Sequence, residues 1–199
     1  MKRIALVLAL APFPALAHHP MGGGVPSTLW EGFASGIGHP VIGPDHLAFL
    51  LAAGVLAATL QLRLGALAIL AFVVGGFLGS LAHVQGIGFG PVEVLVALSV
   101  AAAGAVLLRA VPDGLVPAGF ALAGLVHGHA FAEAIIGAEQ GPLAAYLAGL
   151  AIAQAAVAFG VMAFATRIAA AGHGRMMQRA AGVAGVALGA VFLGLSLVG

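Results

Sequence analysis

The chain contains no cysteine, which excludes disulfides and thiolate metal ligands and leaves His, Asp, Glu, Met and backbone oxygen as candidate donors. Charge is equally scarce. Only 7% of the 199 residues are charged, the net charge is +1, and Lys2 is the sole lysine. No basic face is available for nucleic acid, and no lysine in the body of the chain could hold retinal. A G-x-x-x-x-G-K-[ST] phosphate cradle is absent, so the chain cannot by itself hydrolyse a nucleotide. H-E-x-x-H and G-x-S-x-G are absent too, and none of the five serines has a convincing histidine partner along the sequence.

What is abundant is apolar: 62% of residues are hydrophobic, with a mean hydropathy of +1.18. A soluble domain could not build a polar surface from this, so the expected solvent is lipid. A crossing takes roughly 20 apolar residues, which leaves room for six or seven crossings and no separate soluble domain. The predicted fold is all-α, a polytopic membrane helix bundle. Residues 1–17 read as a cleaved signal peptide: Lys2 and Arg3, the apolar run Ile4 to Leu10, then Ala15-Leu16-Ala17 as an A-x-A site. Residues 18–199 then form one domain with spans of roughly 44–62, 64–83, 91–108, 115–136, 142–168 and 177–198. With the mature N-terminus outside, Arg63, Arg109, Arg167, Arg175 and Arg179 all fall on the cytoplasmic side, as the positive-inside rule requires. Both mature termini are then extracytoplasmic, at a bacterial inner membrane. The 31 glycines include small-x-x-x-small pairs, Gly75 with Gly79, Gly124 with Gly128 and Gly185 with Gly189, which suit close helix packing in lipid.

Ionisable groups are costly in a bilayer, so those that remain mark candidate sites. Seven of the eight histidines gather toward the outer side: His18, His19, His39, His46, His83, His127 and His129, with His173 the exception in an arginine-rich loop. In His39-Pro40-Val41-Ile42-Gly43-Pro44-Asp45-His46 two prolines and a glycine interrupt helical hydrogen bonding, which is tolerated at membrane depth only around a protein-lined site. The preceding Thr28 to Gly38 is expected to be a short interfacial helix anchored by Trp30. In the fourth span, His129 and Glu133 share a helical face, whereas His127 and His129 are about 200° apart and cannot both reach one ion without distortion at Gly128. His83 and Glu93 are rim candidates. Cleavage after Ala17 would expose His18, whose amine and imidazole could capture an ion beside His19; the two are as readily ordinary polar residues. Imidazoles with few carboxylates suit Ni²⁺, Co²⁺, Zn²⁺ or Cu²⁺ rather than Mg²⁺ or Ca²⁺. The motifs fall in spans one and four, corresponding members of two oppositely directed three-span halves.

At these residues the chain resembles the HupE/UreJ family of small nickel/cobalt permeases. His39-Pro40-x-x-Gly43-x-Asp45-His46 is similar to the family's first motif and His127-Gly128-x-Ala130 to its second. Pro91-Val92-Glu93 and Ala97-Leu98-Ser99-Val100 are similar to its third span. The second motif departs from the family's pattern at Phe131 and Ala132, where many members carry His and Gly, and the stretch Glu133 to Glu139 looks closer to a cyanobacterial-type branch. The resemblance implies uptake of Ni²⁺ or Co²⁺ for metalloenzyme assembly without nucleotide hydrolysis, by a protein that is not an enzyme and holds no permanent cofactor. Its implied partners are the divalent ion and the bilayer. A membrane metal-dependent enzyme, a haem-binding electron carrier, copper or zinc as the substrate, and self-association all stay open from the residues alone.

Overall fold

A computed structural model describes residues 24–109 and 111–198, and the signal-peptide segment with His18 and His19 lies outside them. Among the described residues there are helices and no strand. Helix α1 is Leu29–Ile42, α2 Pro44–Ala58, α3 Leu62–Val84 and α4 Val92–Leu108. Helix α5, Val116–Ala132, stands between 3₁₀ turns at Asp113–Leu115 and Glu133–Ile135; α6 is Gln140–Ala170 and α7 Gly174–Val198. Helix α3, the segment Asp113–Ile135 around α5, α6 and α7 are each long and apolar enough to cross a bilayer. Helices α1 and α2 pass that test only together, bent by 74°, and α4 is apolar but shorter at 17 residues. Five crossings by length thus stand against the six expected.

The start of the bundle corrects the sequence reading. Helix α1 begins at a capping box: Thr28 Oγ1 accepts the Glu31 amide at 3.1 Å, and Glu31 Oε2 accepts the Thr28 amide at 3.2 Å. It then continues through Pro40 to Ile42, so the break is a single residue, Gly43. Helix α1 packs against α6. Its Gly32 meets the Pro142 carbonyl, its Gly36 meets Tyr146 and Leu150, and Gly149 of α6 meets Phe33 and Ile37. Below the break, Gly54 of α2 meets Ala158 and Val161. Residue numbers rise together in both partners, so α1 and α2 form one broken passage running parallel to the long α6. The stripe of Gly32, Ser35 and Gly36 brings the backbones together, while Trp30, at the start of α1, is 73% exposed.

Two further pairs complete the bundle. Helices α3 and α5 also run parallel: Gly75 meets Ala121 and Leu125, Gly79 meets Leu125 and His129, and Gly124 and Gly128 meet Phe72 and Gly76. Helices α4 and α7 run antiparallel, with Gly104 on Gly182, Gly185 and Val186, and Gly189 on Ala101. The expected glycine pairs are therefore all backbone contacts. These directions give the bundle two unlike ends. At one end stand Arg63, Arg109, Arg167, Arg175 and Arg179; at the other stand Glu31, Glu93, Glu133, Glu139 and His83. Large apolar side chains such as Leu70, Val74, Phe77, Leu122, Ile152 and Phe164 are exposed, while His127 is fully buried. That inversion of inside and outside is what a lipid solvent selects.

The two halves of the chain are related by a shift of 81 positions with reversal of direction. His46 faces His127 across 81 residues, and Gly104 meets Gly185, also 81 apart. The same exchange carries the contact of Gly75 with Leu125 onto Ala156 and Pro44. That pair is in register with the approach of Gly36 to Tyr146 and Leu150 about two turns earlier. The α3–α5 and α1–α6 pairs are images of one another, and α4–α7 maps onto itself.

If Gly128 holds α5 against α3, then Gly128→Val should destabilise the protein by about 1–3 kcal/mol or more. Gly119→Val, on the same helix with open space around it, should leave the thermal midpoint in detergent within a degree or two.

Candidate metal site

The break at Gly43 places His39 at the end of α1 and Asp45 and His46 in the first turn of α2, beside the middle of α5. A Cβ at position 43 would lie 2.7 Å from His46 Cδ2 and 3.4 Å from Asp45 Oδ1, so a side chain there would displace the His46 ring. His39, Asp45, His46 and His127 are 3%, 6%, 3% and 0% exposed. His127 is level with Phe72, in mid-α3, and with Ser99 of α4.

Hydrogen-bond partners fix how each ring is protonated. Ser99 Oγ donates to the Val96 carbonyl at 2.7 Å and therefore accepts from His127 Nε2 at 2.8 Å. The lone pair of His127 is then on Nδ1, where it accepts from His46 Nδ1 at 2.8 Å. Tyr146 donates to the Phe131 carbonyl at 2.6 Å and accepts from His39 Nδ1 at 2.7 Å, which leaves His39 Nε2 as the lone-pair nitrogen. Asp45 Oδ1 is 4.0 Å from His46 Nε2 and accepts the His46 amide at 2.8 Å. Phe131 stacks on His46 at 4.1 Å between centroids and meets His39 edge-on at 5.1 Å. A spacing of 2.8 Å between two imidazole nitrogens is about the edge of an octahedron whose metal–nitrogen bonds are about 2.0–2.1 Å. Among the described residues no three His, Asp or Glu side chains are already arranged about a single point. Closing this set on an ion needs ring rotation and relocation of the proton shared by His46 and His127.

His129 joins a different group. Two residues after His127, it points to the other side of α5, where Nδ1 is 2.9 Å from His83 Nδ1 and Nε2 donates to the Ile87 carbonyl at 3.0 Å. Helix α5 closes at Ala132 into a tighter 3₁₀ turn, where Glu133 is exposed while His129 is 4% exposed. Glu93 is exposed in the first turn of α4, at the same end as half-buried His83. His173 lies exposed between α6 and α7.

Three polar groups around the site carried little signal. Ser80 donates to the Gly128 carbonyl at 2.8 Å, and Gln154 is 1% exposed with no hydrogen-bond partner for its amide nitrogen among the described residues. Tyr146 sits in an ordinary apolar run, where nothing local points to His39. Gly43-x-x-His46 and Gly124-x-x-His127, 81 positions apart, were the one legible trace of the repeat.

Residues 6–192 match the family model described as HupE / UreJ protein. No curated protein and no solved structure matches the chain.

Tyr146→Phe keeps the ring and removes the hydroxyl, leaving His39 Nδ1 and the Phe131 carbonyl without their shared partner. The expected result is a loss of about 1–3 kcal/mol in stability. A metal titration of the purified protein should show affinity reduced on the order of tenfold or more.

Proposed function

The chain belongs to the HupE/UreJ family, and on that premise we propose that it is a permease importing a divalent transition-metal cation, Ni²⁺ or Co²⁺, across the bacterial inner membrane. The observation that carries the reading is the contact between His46 and His127, 2.8 Å apart and 81 residues apart, at a broken helix on the axis that exchanges the two halves. Oppositely directed repeats with a discontinuous helix at their interface are a transporter design, because rocking one half against the other opens a central site to alternate sides. An enzyme needs no such exchange.

In this reading α4 supplies the sixth crossing: its 17 residues rise about 26 Å, close to a hydrocarbon core of about 30 Å. The arginine end is cytoplasmic and the glutamate and histidine end extracytoplasmic, with Gly199 outside and the signal peptide removed. His39, Asp45, His46 and His127 form the transit site. When an ion takes the His127 Nδ1 lone pair, the shared proton leaves Nδ1 of His46. Relocated to Nε2, it faces Asp45, so the carboxylate orients the ring while His46 Nδ1 turns to the ion. His39 Nε2, fixed by Tyr146, is a further donor. Binding is therefore coupled to proton movement, and the buried charge is a metal–imidazole unit rather than a bare ion. The paired rings do not suit a bis-histidine haem, whose opposed nitrogens must be about 4 Å apart across the iron, twice a bond of about 2 Å. His18 and His19 serve as a capture group at the mature terminus.

Cells carrying His46→Ala or Asp45→Ala at normal membrane abundance should lose accumulation of radioactive nickel or cobalt, and retained uptake would sink the transit site. Competition among Ni²⁺, Co²⁺, Zn²⁺ and Cu²⁺ in the same assay ranks the substrates. Sidedness is testable because the native chain has no cysteine. A cysteine at Gly88 should react with an impermeant thiol reagent on intact cells, and one at Gly172 should react only after permeabilisation.

A further inference from the structure

The paired rings of His83 and His129 repeat the construction of the transit site at the end of the bundle where the glutamates gather. In each pair the α5 histidine gives its Nε2 proton to a fixed acceptor, Ser99 Oγ for His127 and the Ile87 carbonyl for His129. His127 then offers its Nδ1 lone pair to His46 Nδ1 at 2.8 Å, while His83 Nδ1 meets the His129 ring edge-on, 2.9 Å from its Nδ1 and 3.1 Å from its Nε2. A phenylalanine covers one ring of each pair: Phe131 on His46 at 4.1 Å and Phe89 on His129 at 4.5 Å. The differences are in access. His127 is fully buried, whereas His83 is half-buried in the last turn of α3.

The repeat shows that this second pair has no counterpart. Moving 81 positions carries His46 onto His127, but it carries His129 onto Ala48, His83 onto Phe164 and Ile87 onto Ile168. At the arginine end the one histidine among the described residues is His173, exposed in the loop between α6 and α7.

We propose that His83 and His129, with the Ile87 carbonyl, form a second cation station that loads divalent transition-metal ions from the glutamate-rich end before they pass around Gly128 to the transit site. The inference rests on the permease reading and adds to it a separate, one-sided binding site. Such a station cannot drive an ion uphill, since a binding site only redistributes occupancy. It raises the ion concentration beside the transit site on one face, assisted by the glutamates, and so lowers the KM for entry from that face alone.

The test combines equilibrium dialysis of purified full-length protein against Ni²⁺ with uptake kinetics in cells. Wild type should bind two ions per chain. His83→Gln and the double variant His83→Gln/His129→Gln should bind one, with KM for uptake raised on the order of tenfold or more and maximal rate nearly kept. His46→Gln should also keep one ion but lose transport. His83→Cys, which restores a ligand at a position tolerant of exposure, should regain the second ion and guards against a loss caused by misfolding. One ion in wild type, or unchanged stoichiometry and KM in His83→Gln, would overturn the station while leaving the permease reading intact. If wild type bound no ion and His46→Gln kept its uptake, both would fall.

Discussion

A helix can be interrupted at membrane depth only where protein, not lipid, surrounds the freed backbone, and the organisation of this bundle follows from meeting that condition at Gly43. Helix α6 extends to 31 residues and accompanies the broken passage on both sides of the break. Glycines at 32, 36, 54 and 149 let the backbones approach closely enough to exclude lipid. The opposing face is closed by α5, whose own glycines seat it on α3. A break enclosed in this way costs little, and it exposes the N-terminal turn of α2, with Asp45 and His46, to the centre of the protein.

What happens at that centre is decided by neutral hydrogen-bond partners rather than by charge. Ser99 and Tyr146 each commit their single proton to a backbone carbonyl, at Val96 and Phe131, and so can only accept from the histidines beside them. Two hydroxyls thereby set the tautomers of His127 and His39 at a depth where protonating an imidazole would be expensive. An ion arriving there finds nitrogen lone pairs at defined atoms. On the permease reading an ion there meets neutral rings enclosed by Phe131 and Phe49.

Much of this was legible in the residues, and the parts that were not share a physical cause. Apolar runs located α3, α4, α6 and α7 within a few residues, because in lipid the length of such a run is the length of the helix. The motif around Gly43 marked the break for the same reason that the structure needs it. The packing of α1 on α6 was not legible: it depends on a small-residue stripe matched to a helix more than 100 positions away, and smallness by itself says nothing about a partner. Opposed directions for His127 and His129 followed from helix geometry, but finding His83 opposite His129 required knowing that α3 and α5 run parallel.

The reversal between the halves also says something about origin. On the permease reading, with α4 counted as a crossing, each half has three helical passages, α1 and α2 together making one. A unit that passes through a layer an odd number of times ends on the side opposite to its start, so a tandem copy is necessarily threaded upside down. Duplication of a three-passage ancestor therefore yields this architecture in one step, with both faces initially alike. On that reading, divergence at very few positions, those now occupied by Ala48 and Phe164 on one side and by His129 and His83 on the other, gives the two faces unequal affinity for the same cargo without giving the passage a direction.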